Sequence, residues 1–225
     1  MIDYPGKMSC VVFLSNCDFR CPFCHNPELI FNTEAFPDIT VEEFFAFLDD
    51  RKKWIDAVCI TGGEPTTHKG LVEFMRQVKA KGFSIKLDTN GSNPKIVEQA
   101  ISEGIVDYIA MDIKNCQEKY SLTCGVKVNM ENIQKSIKLI MDAGAVGKID
   151  YEFRSTIMPK LHNNEDIIKM SGWLTGAKKF VLQNFKTEQA LLDQSYVDEE
   201  GFLSPQLEEF RKIMEKDISI VEVRQ

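Results

Sequence analysis

The chain carries no surplus of positive charge, no long apolar run and no second Cys-x-x-Cys pair, and each absence removes a class of function. Its 27 Lys and Arg are outnumbered by 34 Asp and Glu. The formal charge of −7 and pI near 5.1 lack the basic footprint that a nucleic-acid binder leaves. Arg51-Lys52-Lys53 is the one tight basic run and reads as the solvated end of a helix. No charged-plus-apolar leader stands at the N-terminus, and the longest early apolar run, Cys10 to Leu14, is strand-sized rather than membrane-sized. A cytoplasmic protein with no membrane contact is expected. Seven cysteines would suggest disulfides only in a secreted chain, which nothing here supports.

What is there is an ordinary globular composition, 44% hydrophobic and 27% charged, which excludes a disordered or fibrous class. With 225 residues, one domain spanning 1–225 can bury roughly 70% of its unfolded surface.

Three cysteines close together dominate the rest. Cys17, Cys21 and Cys24 lie in Cys17-Asp18-Phe19-Arg20-Cys21-Pro22-Phe23-Cys24-His25, so one short loop (16–26) can turn three thiolates toward a common point. No fourth cysteine lies nearby. Four-iron clusters normally take four thiolates, so a cluster held here keeps one iron without a protein ligand. An open metal position is where substrate chemistry happens, as at catalytic zinc. The bland alternative is a structural zinc with His25 or a distant cysteine as fourth ligand. Against it, His25 directly follows Cys24, and adjacent residues rarely point both side chains at one metal. Of the remaining cysteines, Cys10 and Cys59 sit in apolar strand patterns and read as small buried hydrophobes. Cys116 and Cys124 are too few for a second cluster and read as incidental.

Short β-branched runs alternate with amphipathic stretches about six times. Strands are expected at Met8–Ser15, Ala57–Thr61, Phe83–Thr89, Asp107–Ile113, Ile149–Ile157 and Lys179–Phe185. Helices are expected at Val41–Asp50, Leu71–Lys81, Pro94–Glu103, Met130–Ala143 and Asn164–Leu174. Thr40 with Glu43 caps the first of them; Gly82, Gly104 and Gly144 stop the next three. Such alternation implies a parallel sheet with right-handed crossovers, and six units are too few to close an eight-stranded barrel. The expected fold is therefore α/β, an open partial (β/α)6 barrel. Pro205–Lys216 reads as a final helix, and Ile218–Val223 as an extra strand without an assigned place.

In parallel α/β sheets ligands bind beyond the carboxyl ends of the strands. The cluster loop, Gly62-Gly63-Glu64-Pro65, Asp88-Thr89-Asn90-Gly91 and Met111-Asp112-Ile113-Lys114 all fall there, after four successive strands. Taken singly, the glycine pair fits any strand-to-helix turn, Asn90-Gly91 is a common turn signal, and a solvated lysine is the alternative for Lys114. The two glycines would let a ligand approach bare backbone. Arg154 lies within the fifth strand and, if buried, needs an anionic partner. His68 and His162 have no matching partners and read as surface or loop residues.

The Cys-x3-Cys-x-aromatic-Cys run resembles the radical S-adenosylmethionine (SAM) superfamily. The likeness runs from Asp3-Tyr4-Pro5-Gly6 through Cys24-His25-Asn26-Pro27 to Gln183. It implies a [4Fe-4S] cluster on Cys17, Cys21 and Cys24, whose open iron is chelated by SAM. The same resemblance gives Gly62, Gly63 and Glu64 the role of a GGE motif at the SAM amino group, and puts Phe23 beside the cofactor. Asp88 would touch SAM and help hold a monovalent cation. Asp112 and Lys114 resemble an Asp-x-Lys pair, with Lys114 suited to the SAM carboxylate or ribose, and the carboxylate would also serve Arg154. The chain looks most like activating proteins of anaerobic ribonucleoside-triphosphate reductase, with Leu182-Gln183-Asn184-Phe185 where pyruvate formate-lyase activating enzymes carry a histidine. That likeness implies a 5'-deoxyadenosyl radical that takes hydrogen from a glycine of a partner enzyme, and an electron donor such as flavodoxin or ferredoxin. The alternatives are an activase of the pyruvate formate-lyase type and a radical SAM enzyme acting on a small molecule such as a deazaguanine precursor.

Overall fold

The computed structural model describes residues 3–31, 34, 37–187 and 191–225. Among these residues seven strands, β1 (Ser9–Leu14), β2 (Ala57–Gly62), β3 (Ser84–Thr89), β4 (Tyr108–Asp112), β5 (Asp150–Ile157), β6 (Lys179–Asn184) and β7 (Ile220–Arg224), lie side by side in chain order. Every neighbouring pair is parallel. Parallel neighbours need a crossover between them, and helices supply it. These are α1 (Glu28–Phe31), α2 (Val41–Arg51), α3 (Leu71–Ala80), α4 (Pro94–Ser102), α5 (Tyr120–Thr123), α6 (Met130–Ala145), α7 (Asn164–Trp173) and α8 (Ser204–Met214). The sheet is not closed, since β1 and β7 are its two edges among the described residues. The architecture is a partial barrel.

It has one strand more than the six-unit reading. The segment without an assigned place is β7, in register with β6 from Lys179↔Ile220 to Gln183↔Arg224. Its Val221 joins the core while Arg224 reaches Glu152 on β5 at 3.2 Å. That contact joins residues 72 apart, which no local pattern reveals.

Helix boundaries follow local chemistry. Thr40 caps α2 with a reciprocal pair: the Glu43 amide donates to its hydroxyl at 3.2 Å, and its own amide donates to the Glu43 carboxylate at 2.8 Å. One expected stop fails. Helix α6 runs past Gly144 to Ala145 because that glycine answers a packing need: a Cβ there would sit 2.3 Å from the Tyr151 ring. Helix α6 buries Ile133, Ile137 and Ile140 at helical spacing, each contributing about 1.5–3 kcal/mol.

The opposite face of the sheet is charged. Glu152, 1% exposed, accepts from the Tyr108 hydroxyl at 3.0 Å and meets Arg224 and Lys179. At the amino ends of the strands, Tyr4, Ala57, Tyr108 and Ala110 form a small apolar plug, with the two tyrosine rings 5.8 Å apart. No described helix is long and apolar enough to cross a membrane.

Candidate active site

The cysteine loop leaves β1 through Asn16, the one described non-glycine residue with positive φ (65°), a conformation asparagine tolerates better than most. It is pinned from several sides. The Asn16 amide donates to Leu29 O at 2.7 Å, Arg20 Nη1 to Cys17 O at 2.6 Å, and the Arg20 amide to Cys124 O at 2.8 Å. From the segment after β6, the Leu192 and Asp193 amides donate to Cys24 O and Pro22 O. His25 turns its Nε2 to Lys186 O at 2.8 Å and stacks on Phe185, so that nitrogen is committed to a carbonyl.

The thiols sit in unlike surroundings. Burial pushes Cys17 up to about 12 despite the Phe19 amide, which donates to its sulfur at 3.4 Å. Burial raises Cys24 too. Cys21 goes the other way, lowered by a side-chain hydrogen bond with Cys124 that outweighs its burial. The Lys114 ammonium favours the thiolate at all three. Cys124 sits beside Cys21, whereas Cys116 faces Asp166 Oδ1 at 3.5 Å, so the two do not form a second ligand pair. Among the described residues, no three Cys, His, Asp or Glu side chains stand close enough to hold a single ion. Three thiols around one cavity, each free to take its own iron, fit a cluster better than a zinc ion.

Gly62 and Gly63 also meet a packing need of the protein itself. A Cβ at Gly62 would lie 2.3 Å from Leu14 O, and one at Gly63 would lie 1.9 Å from Asn16 O. The bare backbone is used by the protein itself, to bring the end of β2 against the root of the cysteine loop. The Gly63 and Glu64 amides then donate to Leu14 O and Asn16 O, both at 2.8 Å. Glu64, 1% exposed, ties this turn to the end of β3. It accepts from the Thr66 amide (3.0 Å), the Thr66 hydroxyl (2.5 Å), the Thr89 hydroxyl (2.7 Å) and the Asn90 amide (2.6 Å). Burial raises its carboxyl to about 7 against those four donors. Asn90 closes the ring by donating to Asp18 of the cysteine loop at 2.8 Å.

Five charges cross the sheet in line. Lys86 meets Asp88 Oδ1; Arg154 reaches Asp88 Oδ2 at 3.1 Å and Asp112 Oδ1 at 2.6 Å; Lys114 reaches Asp112 Oδ2 at 2.9 Å. Burial opposes the charge on Asp112, but Arg154 and Lys114 outweigh it and hold the carboxyl well below its usual range. Lys114 and Arg154 are raised in return by these carboxylates against their own burial. Lys114 is no solvated lysine, and the anionic partners that Arg154 needs are Asp88 and Asp112.

Cys17, Cys21, Phe23, Cys24, Gly62, Gly63, Glu64, Asp88, Asp112, Lys114 and Arg154 all line one cavity of about 820 Å³, part of it open to solvent. Thr61, Thr89 and Asn90, which flank residues already implicated at the ends of β2 and β3, line it too, and Thr156 on β5 is a lining residue that sequence reasoning did not single out. That reasoning also misread His162, which is 2% exposed and bonded to the Lys114 carbonyl at 3.0 Å. His68 is half-buried, its Nε2 2.5 Å from Ser15 O.

An open parallel sheet that gathers three thiols, a glycine-glycine-glutamate turn and a line of half-buried charge at its carboxyl edge defines an iron–sulfur enzyme that binds a small charged cosubstrate. The model of the radical SAM superfamily matches residues 11–173, and the chain belongs to that superfamily. It is similar to a protein of Methanocaldococcus jannaschii provisionally named a glycyl-radical enzyme activating enzyme, 35% identical over 99% of this chain and 91% of that one. It is also similar to the pyruvate formate-lyase-activating enzyme of Clostridium pasteurianum, 25% identical over 75% of this chain and 69% of that protein. Among solved structures, Streptococcus suis SuiB superposes with a TM-score of 0.69 at 15% identity, a likeness of fold. It covers 99% of this chain, which spans about half of SuiB. Membership implies a [4Fe-4S] cluster and SAM, and the three-thiol cavity with its charged floor suits both.

Proposed function

We propose that this chain activates a glycyl-radical enzyme, with anaerobic ribonucleoside-triphosphate reductase as its target. The carrying observation is the shared cavity: three thiols at one side, the half-buried charge line at the other, and an opening to solvent. Support for the activase reading comes from the M. jannaschii relative, matched along nearly its whole length. When bound, the cluster and SAM would supply reductive one-electron cleavage of SAM and, from it, the radical chemistry that removes a hydrogen atom from the Cα of a partner glycine.

The chain's own residues prepare that chemistry. Cys17, Cys21 and Cys24 hold three irons, and Lys114 favours their thiolate forms. Glu64 fixes the Gly62-Gly63 turn, whose backbone would receive the SAM amino group. Lys114 would meet the SAM carboxylate or ribose, while Arg154 bridges the Asp88 and Asp112 carboxylates and helps hold Asp112 ionised. A monovalent cation beside Asp88 is not part of this reading, because Lys86 and Arg154 already engage both carboxylate oxygens. A flavodoxin or ferredoxin supplies the electron.

The test is anaerobic. The reconstituted protein is mixed with reductant, SAM and the reductase, the electron paramagnetic resonance spectrum is recorded, and 5'-deoxyadenosine is quantified. A glycyl doublet on the reductase is the expected result. Deoxyadenosine without a doublet would remove the reductase as target and point to a pyruvate formate-lyase-type partner or a small molecule; neither product from an intact cluster would overturn the proposal.

A further inference from the structure

The loop after β4 delivers Lys114 to the cavity, and something must hold that loop. Ile113 continues the ladder one residue beyond the strand, its amide donating to Arg154 O at 2.8 Å, and its side chain is fully buried. At the next residue the sheet bonding stops. Among the described residues the Lys114 carbonyl has one partner, Nε2 of His162 at 3.0 Å.

His162 is itself fixed. Its ring Nδ1 accepts from the Met158 amide at 3.3 Å, and its own amide donates to Met158 O at 2.9 Å. An amide can only donate, so Nδ1 is the bare nitrogen and Nε2 carries the proton that goes to Lys114. The imidazole is therefore neutral and in one tautomer, folded back on a tight turn at the end of β5. Beside it, fully buried Asn115 donates to Leu161 O at 3.0 Å and to the Thr123 hydroxyl at 2.9 Å, locking the two loops together.

We propose that His162 is a positioning residue: its Nε2–H sets the Lys114 backbone, and thereby aims the Lys114 ammonium at bound SAM. The proposal rests on the reading that Lys114 meets SAM. The competing role is that of a core histidine that only stabilises its own turn. The two bonds of the ring separate these roles. In His162→Asn the amide oxygen stands near the Nδ1 position and can still accept from Met158, but the side chain is too short to reach Lys114 O. In His162→Gln the terminal amide reaches the Nε2 position and can still donate to Lys114 O, while the bond from Met158 is lost.

The experiment titrates SAM into the reduced, cluster-loaded protein and reads the change in the cluster's electron paramagnetic resonance signal, with melting temperature as a parallel readout. Lys114→Ala, His162→Asn, His162→Gln and the Lys114→Ala/His162→Asn pair are compared with the parent. Expected is about tenfold weaker SAM binding in His162→Asn and near-parental binding in His162→Gln, the loss of one buried hydrogen bond being converted to affinity. The double variant should bind no more weakly than Lys114→Ala. If Lys114→Ala binds SAM like the parent, the role given to Lys114 falls and this proposal with it. If Lys114→Ala weakens binding but His162→Asn does not, or if both histidine variants weaken it equally in step with their melting temperatures, the positioning role alone is overturned.

Discussion

At the scale of the residue, the site depends on atoms that are missing. Gly63 has a hydrogen where any other side chain would place a carbon 1.9 Å from Asn16 O, and the atom in the way is backbone. Gly63→Ala therefore cannot be absorbed by a rotamer change; the root of the cysteine loop must move by more than an ångström. We expect a loss of about 3 kcal/mol or more in stability, at the upper end for overpacking, together with poor iron retention after anaerobic reconstitution. Gly70→Ala is the control, since nothing lies within 4 Å of its Cβ position and its φ of −85° suits alanine. That substitution should stay within about 0.5–1 kcal/mol of the parent, with full iron content. Urea unfolding and iron assay check both, and normal iron loading in Gly63→Ala would mean that the loop has more freedom than its contacts indicate.

At the scale of the element, much was legible from local pattern and some was not. The three cysteines, the capped helix α2 and the strand-end motifs rest on spacing within a few residues, so the sequence displays them directly. The burial of His162, the Cys21 and Cys124 pair and the close packing of Gly62 and Gly63 on the cysteine loop all depend on partners distant in the chain. Strand β7 belongs to this second group, because its place is set by a side chain on β5. Glu152 is almost fully buried and faces Arg224 at 3.2 Å, Lys179 at 3.5 Å and the Tyr108 hydroxyl at 3.0 Å. Arg224→Met would leave that carboxylate with one weak cationic partner, and breaking a buried pair from one side costs about 3–5 kcal/mol. The expected signature is a drop of this order in unfolding free energy, with amide exchange rising in β7 and the facing edge of β6 before the rest of the sheet. Uniform exchange across all seven strands would show that the pair does not anchor the edge.

At the scale of the whole molecule, the buried groups at the carboxyl edge make stability depend on pH in two opposed ways. His162 is neutral in the fold, and burial lowers its pKa from 6.5 although the Lys114 and Met158 backbone and the Asp166 carboxylate act the other way. A group with a depressed pKa in the folded state contributes stability that is present above its unfolded value and lost as pH falls below it. Glu64 has the reverse sign. Burial raises its carboxyl from 4.5 to about 7, so its contribution is full below 4.5 and lost progressively as pH rises toward 7. A difference of this size amounts to about 3 kcal/mol for a group almost wholly out of water. Stability of the cluster-free protein should therefore fall on both sides of slightly acidic pH, for two separable reasons. Glu64→Gln lowers stability at every pH, because a donor group then faces a backbone amide. It should also flatten the decline between pH 5 and pH 7.5. His162→Gln should leave that decline intact and remove part of the loss below pH 6.5. Urea midpoints measured anaerobically across this range test the assignment, and it fails if the two variants follow the parent's profile at both ends.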